Sequence, residues 1–211
     1  METIPLFPLG NALFPDGVMH LRIFEVRYLD MIGKCIDDDL PFGVVPLLEG
    51  REVRTPEGRE VLAGAGTLAR IVESSAPMQG LVQIVCTGTS RFRLLSAEVG
   101  KFGLWTGEIE ILENDAPREI PRELQPAANA LGALIADLQR RATPQALMPI
   151  AAPFRLDECG WVADRWAEIL PLPPTFKQDL LLTADPELRL AQVHTMLEER
   201  GLLPPPDEQV G

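Results

Sequence analysis

The sequence predicts an α+β fold, with a β-rich first half that carries one helix and a helical second half from about residue 122. Three observations carry that reading. Up to residue 112 the apolar residues fall in short runs of strand character, punctuated by proline and glycine. Beyond residue 122 they recur at helical spacing. Between the two lies a polar, proline-bearing stretch, residues 113–121 (ENDAPREIP), where the composition changes. The 211 residues are enough for one large domain or two small ones, and they divide into a β-rich subdomain, 1–115, a helical subdomain, 122–203, and a flexible tail, 204–211.

The first elements follow from proline and period. Ile4, Leu6, Phe7 and Leu9 alternate with Pro5 and Pro8; each proline fixes φ and removes a backbone donor, so this reads as an edge strand or extended segment. Pro15-Asp16-Gly17 is a turn. Val18 to Ile23 reads as a second strand. Phe24, Tyr28, Met31 and Cys35, spaced by four, three and four, then mark one face of a helix, with Asp30 and Lys34 paired on its other side. Asp37-Asp38-Asp39 reads as a solvated loop, because an oxygen-ligand metal site needs alternating positions enforced by turns.

Residues 41–48 form a short strand. In residues 49–60, Arg51, Arg54 and Arg59 interleave with Glu49, Glu52, Glu57 and Glu60, a solvated mixed-charge loop with Thr55-Pro56-Glu57-Gly58 as a mobile tip. Gly64-Ala65-Gly66 fits a loose dinucleotide-binding pattern, but the alternation from Thr67 to Glu73 predicts a strand where that motif requires a helix. The glycines are read as a bend or bulge. Residues 81–87 form a strand, Gly88-Thr89-Ser90 a turn and residues 91–95 the next strand. Residues 104–112 alternate Trp105, Gly107, Ile109 and Ile111 against Thr106, Glu108 and Glu110, as a half-buried antiparallel strand does.

In the second half, Leu124, Ala127, Ala128, Leu131, Leu134, Ile135 and Leu138 make a helical stripe that ends at Arg140-Arg141, where the helix dipole favours cations. Residues 143–156 are proline-broken and irregular. A helix from about Glu158 to Ile169 stops before Pro171. Thr175 and Gln178 have the spacing of a capping box, Asp185-Pro186 starts the last helix, and Gly201 caps it.

The order IPLFPL, an Asn-containing link to LFP, a strand ending in IFE and then RY resembles the start of the Lon N-terminal substrate-binding domain. GTSRF (residues 88–92) and the closing LPPTFKQDLLLTADPELRLAQVHTML resemble later parts of the same pattern, so the likeness covers nearly the whole chain. Family members carry Gly directly after the LFP proline, whereas this chain has Asp16 and then Gly17, which shifts the turn by one residue. The family includes the amino-terminal domain of Lon protease, free-standing bacterial proteins and the related domain of cereblon. The resemblance implies a PUA-like pseudo-barrel in the β-rich half, a C-terminal helical bundle, and a non-catalytic module that binds exposed apolar protein segments, with an adaptor role as one form of it.

Such a module would offer an apolar cleft, for which the meeting of the two halves is the candidate place. The candidate contacts are Phe7, Leu9, Phe14, Phe24, Tyr28 and Phe92, with Glu25, Arg27 and Arg91 as a polar rim. The structural reading of the same residues makes the apolar ones core and the three charged ones an ion-pair cluster at the strand-to-helix junction.

Catalytic patterns point the other way. The chain has no His-Glu-x-x-His, no paired Cys-x-x-Cys, no phosphate loop ending in Gly-Lys-Ser/Thr and no Gly-x-Ser-x-Gly elbow, so no cofactor or metal is expected. Its two histidines, His20 and His194, read as structural or surface groups. Cys35, Cys86 and Cys159, odd in number and set among apolar residues, read as buried free thiols of a cytoplasmic protein. Met1-Glu2-Thr3 has no basic region and prolines interrupt the apolar residues after it, so no signal peptide is expected, and no apolar run approaches the length that spans a bilayer. A net charge of −12 opposes RNA binding, the function some PUA-like barrels have; a small-molecule site or an unrecognised enzyme is the other alternative. The partner that the resemblance implies is protein or unfolded polypeptide segments, with neither nucleic acid nor membrane expected.

Overall fold

A computed structural model describes residues 2–52, 59–141 and 149–203; the expected hairpin tip at residues 55–58 and the tail at 204–211 lie outside them. Strands β1 (Glu2–Leu9), β2 (Val18–Ile23), β3 (Phe42–Glu49), β4 (Val61–Leu62), β5 (Ala65–Met78), β6 (Leu81–Val99) and β7 (Trp105–Ile111) belong to the first half, with helix α1 (Val26–Asp37) between β2 and β3. Helices α2 (Gln125–Arg140), α3 (Cys159–Ile169), α4 (Pro174–Leu182) and α5 (Pro186–Glu199) follow. No described helix is long and apolar enough to cross a membrane.

Strand β1 pairs on one side along its first residues and on the other along its last. It runs antiparallel to β7 along Glu2–Leu6 and parallel to β3 along Leu6–Leu9, so the pairings close on themselves in the order β1-β7-β6-β5-β3-β1. Proline forbids a ladder donor, not an interior strand, and the staggered ladders accommodate both prolines. Successive residues turn their N–H and C=O groups to opposite sides of a strand. If Pro5 faces the β3 side, Pro8 faces the β7 side, and neither side holds a ladder at that position. No hydrogen bond is lost.

Ile4, Leu6, Val45, Leu68, Phe92 and Ile109 pack inside this circuit. A Cβ on Gly66 would lie 2.4 Å from the Val44 carbonyl oxygen and 2.6 Å from the Phe92 ring, so the glycine serves close strand packing and not a nucleotide. A second core forms where Tyr28, Met31, Ile32 and Cys35 of α1 meet Phe7, Phe42 and Ile84, with the rings of Phe7 and Tyr28 stacked at 4.1 Å. Phe24 departs from the predicted helical face: it precedes α1 and is 57% exposed. The third core joins α2 to α5 and also takes in Ala12, Phe14 and Ala65 from the first half.

The link between β1 and β2 is where the halves grip each other. Glu168 of α3 accepts the Phe14 N–H at 2.9 Å, Arg165 donates to the Pro15 carbonyl at 2.7 Å, and Lys177 of α4 donates to Asn11 Oδ1 at 2.5 Å. From the other side, Thr67 Oγ1 donates to the Leu13 carbonyl at 2.7 Å. The left-handed position of the turn falls on Asp16 (φ 61), which forms an ion pair with Arg155.

Three local expectations are corrected. No turn occurs at residues 88–90, because β6 runs unbroken and the reversal from β5 lies at Gly80 (φ 77). Gly88 instead allows close approach: a Cβ there would lie 2.1 Å from the Phe14 carbonyl oxygen. The capping box is not formed, since α4 begins at Pro174 after Pro173, and Gln178 accepts the Gly64 N–H at 2.7 Å. Glu60 is no solvated loop charge, for its side chain is buried and accepts the Trp105 indole N–H at 2.5 Å.

Candidate functional site

The nine sequence candidates do not form one site. Phe7, Leu9 and Tyr28 lie in the core under α1, Phe92 inside the strand circuit, and Phe14 in the helical core; all five are buried. As core residues they offer a partner no surface. Arg27 and Arg91 are buried as well, and they lie apart. Arg27 donates to Glu25 at 3.1 Å and to the Gly103 carbonyl at 2.8 Å, and sits over the Tyr28 ring at 4.5 Å. It ties α1 to the turn before β7. The Glu25 and Arg27 part of the expected ion-pair cluster is present, whereas Arg91 belongs to another network.

That network lies where the halves meet. Arg91 donates to the Leu181 and Thr183 carbonyls at 3.0 and 2.8 Å and to Asp115 at 2.8 Å. Arg189 pairs with the other oxygen of Asp115 and, at 3.0 Å, with Asp164. Burial pushes the Asp164 carboxyl up to about 6 against the pull of Arg189 and Arg165. Burial, followed by the neighbouring Arg189, lowers Arg91. Asp115 therefore does more than link two segments. The cleft at this junction sets Arg91, Arg93, Asp115 and Arg118 beside Leu112, Pro117 and Leu182, so charged groups are mixed into its apolar lining.

An apolar groove of about 540 Å³ opens elsewhere, between α1, the first residues of β1 and the turn before β7. Ile4, Met31, Cys35 and Leu104 line it, with Pro5, Leu40, Pro41 and Phe102 beside them. Glu2, Asp30, Lys34 and Asp38 contribute its charged groups alongside the internally paired Arg27. Burial, aided by Asp38, pushes the Cys35 thiol up, so at neutral pH it stays protonated and acts as a small apolar group.

Phe102 marks the groove as more than a packing defect. Its side chain is 85% exposed and its backbone sits at φ 60. A non-glycine residue in that region costs on the order of 1 kcal/mol, and an exposed ring recovers nothing by burial. Folding alone thus gives no reason for a phenylalanine here. Val26, 69% exposed, and Phe24 are further exposed apolar residues at the start of α1. Of the sequence candidates, Arg27 lines the groove and Phe24 and Glu25 lie at the same helix end. The missed signal was local: Gly100-Lys101-Phe102-Gly103 places a large aromatic in a glycine-bounded turn, where polar residues are usual.

Comparison with known proteins agrees with this fold. The family model described as the ATP-dependent protease La (LON) substrate-binding domain matches residues 3–199. The Lon protease of Paraburkholderia phytofirmans is 29% identical over 200 residues, covering 91% of this chain and 24% of that protein. The Lon protease of Aquifex aeolicus is 27% identical over 217 residues, covering 96% of this chain and 26% of that protein. The chain thus spans about a quarter of the length of these curated relatives. A Lon N-terminal domain protein from Xanthomonas campestris superposes with a TM-score of 0.70 at 30% identity, covering 92% of this chain and 98% of that one. The N-terminal domain of a Mycobacterium avium complex Lon protease superposes at 0.57 with 17% identity, covering 94% and 99%, a likeness of fold. Strand-rich sheet, five described helices and matched length agree, and the chain belongs to the Lon substrate-binding domain family.

Proposed function

We propose that this protein is a non-catalytic recognition module that binds exposed apolar segments of other polypeptides in the cytoplasm, in the groove beside α1. The observation that carries the reading is Phe102, a strained and solvent-facing aromatic at the side of a mostly apolar groove, in a family named for substrate binding. An unfolded chain presents apolar side chains that a folded one hides, and burying one such side chain in a groove is worth about 1.5–3 kcal/mol. Selectivity for unfolded chains follows from that difference in exposure. The closed strand circuit supports reading residues 1–115 as a PUA-like pseudo-barrel, and the shared core of α2 to α5 supports reading residues 122–203 as a helical bundle. An adaptor role beside a separate protease is one use of such a module.

Fluorescence anisotropy of a labelled, permanently unfolded polypeptide and of its folded counterpart tests this. Saturable binding to the unfolded form alone is expected. Phe102→Asn, which suits the left-handed backbone and leaves the core untouched, should weaken it at least severalfold. Equal binding by the variant and the parent would remove the groove from consideration.

A further inference from the structure

The groove coincides with an interruption in the strand ladder. The β1–β7 pairing covers Glu2–Leu6, but on the opposite side the β1–β3 pairing starts only at Leu6 and Gly43. Residues 2–5 of β1 therefore have no neighbouring strand on that side, and it is these residues that line the groove. The chain before β3 does not continue the ladder there: the Leu40 N–H is bound to the Cys35 carbonyl of α1 at 3.0 Å, and Pro41 has no N–H to donate. The positions of Pro5 and Pro8 set the phase of β1. Pro5 faces the open side, and Thr3, two residues earlier, faces the same way. Thr3 thus presents both an N–H and a C=O to the groove, while the Pro5 C=O is taken by the first rung of the β1–β3 pairing at Gly43.

We infer that the groove takes its polypeptide as an added β-strand alongside residues 2–5, with apolar side chains at alternate positions and lysine- or arginine-bearing flanks. This rests on the reading of the groove as a polypeptide site and specifies how the polypeptide lies in it. Backbone pairing supplies affinity without regard to sequence, which suits a module that meets many unfolded chains. The alternate side chains facing the helix descend toward Met31 and Leu104, beside Phe102. The charge preference comes from Glu2, Asp30 and Asp38, exposed carboxylates set against the single exposed cation Lys34 of the groove, in a chain of net charge −12.

The test uses the full chain and a short labelled peptide that alternates valine and threonine around one phenylalanine, with lysines at both ends. N-methylation of alternate backbone amides is made in each of the two phases. Methylating the phase that faces β1 should abolish binding, and methylating the other should leave it. Thr3→Pro, which removes the N–H turned to the groove and leaves the β7 ladder intact, should weaken binding at least tenfold, whereas Thr3→Ala should bind as the parent does. The N-methyl arm remains decisive if Thr3→Pro fails to fold. Exchanging the lysines for glutamates should cost a further tenfold at low salt, a difference that shrinks as salt is added. If both methylated peptides bind like the unmodified one while Phe102→Asn still weakens binding, strand addition is overturned and the groove reading stands. If Phe102→Asn has no effect on any peptide, both fall.

Discussion

Glu168 shows how one residue can set the pH response of the whole chain. Its carboxylate accepts the Phe14 N–H and pairs with Arg165 at 3.1 Å, with Asp164 on its own helix and Lys177 of α4 also acting on it. Burial outweighs the lowering pull of Arg165 and of the Phe14 N–H and pushes the carboxyl from its ordinary 4.5 up to about 7. Between those values the folded chain holds a proton that the unfolded chain has released, so stability falls as pH rises through that window. Asp164, raised to about 6, adds a slope of the same sign. Glu168→Gln keeps an acceptor for the Phe14 N–H and removes only the Glu168 share. Relative to the parent, the variant should gain on the order of 3 kcal/mol between pH 4.5 and pH 8. Melting temperatures across that range check it; parallel curves for the two proteins would show that Glu168 titrates normally in the fold. None of this could be read from the sequence, because residues 14 and 168 meet only through the packing of α3 against the β1–β2 link.

At the scale of elements, the starts of α4 and α5 separate local chemistry from its tertiary override. Asp185 accepts the N–H groups of Glu187 and Leu188 at 2.9 and 3.4 Å, as its place before Pro186 predicts. Asp185→Ala should therefore cost about 1 kcal/mol. Thr175 has equally good spacing with Gln178, but Pro173 and Pro174 start α4 two residues too early for it, and Gln178 is taken by Gly64. Thr175→Ala should change stability by no more than about 0.5 kcal/mol. Urea midpoints of the two variants decide it, and equal losses would mean that Thr175 caps after all. The same distinction explains what the sequence made legible. Period and caps place β2, α1, α2, α3 and α5 nearly to the residue. A glycine signal is ambiguous between turn and close approach, so the sequence of β6 reads as two strands, whereas Gly88 lies against the Phe14 carbonyl within one unbroken strand. The groove is illegible for a similar reason: its lining comes from the start of β1, from α1 and the residues after it, and from the turn before β7, which meet only in the fold.

For the whole molecule, the two halves differ in composition but share their most expensive groups. Arg189 and Arg165 of the helical half are buried, and their partners include Asp115 and the Pro15 carbonyl of the first half. Arg91 of β6 is buried against the carbonyls that end α4. The helical core is also incomplete without Phe14 and Ala65. Removing one partner of a buried pair costs about 3–5 kcal/mol, and a domain has only about 5–15 kcal/mol in total. Separating residues 122–203 from the rest breaks several such contacts at once, so we propose that the two subdomains form one folding unit. Scanning calorimetry of the full chain should give a single transition with equal calorimetric and van't Hoff enthalpies. A fragment of residues 122–203 should lack the dispersed amide spectrum of a packed core. Two resolved transitions, or a fragment that folds alone, would mean that the ion-pair network joins two independently stable bodies, and Asp115→Ala would then loosen their docking without unfolding either. In a single unit the same substitution should lower the one transition, because it removes the carboxylate that Arg91 and Arg189 share and leaves the two buried cations side by side.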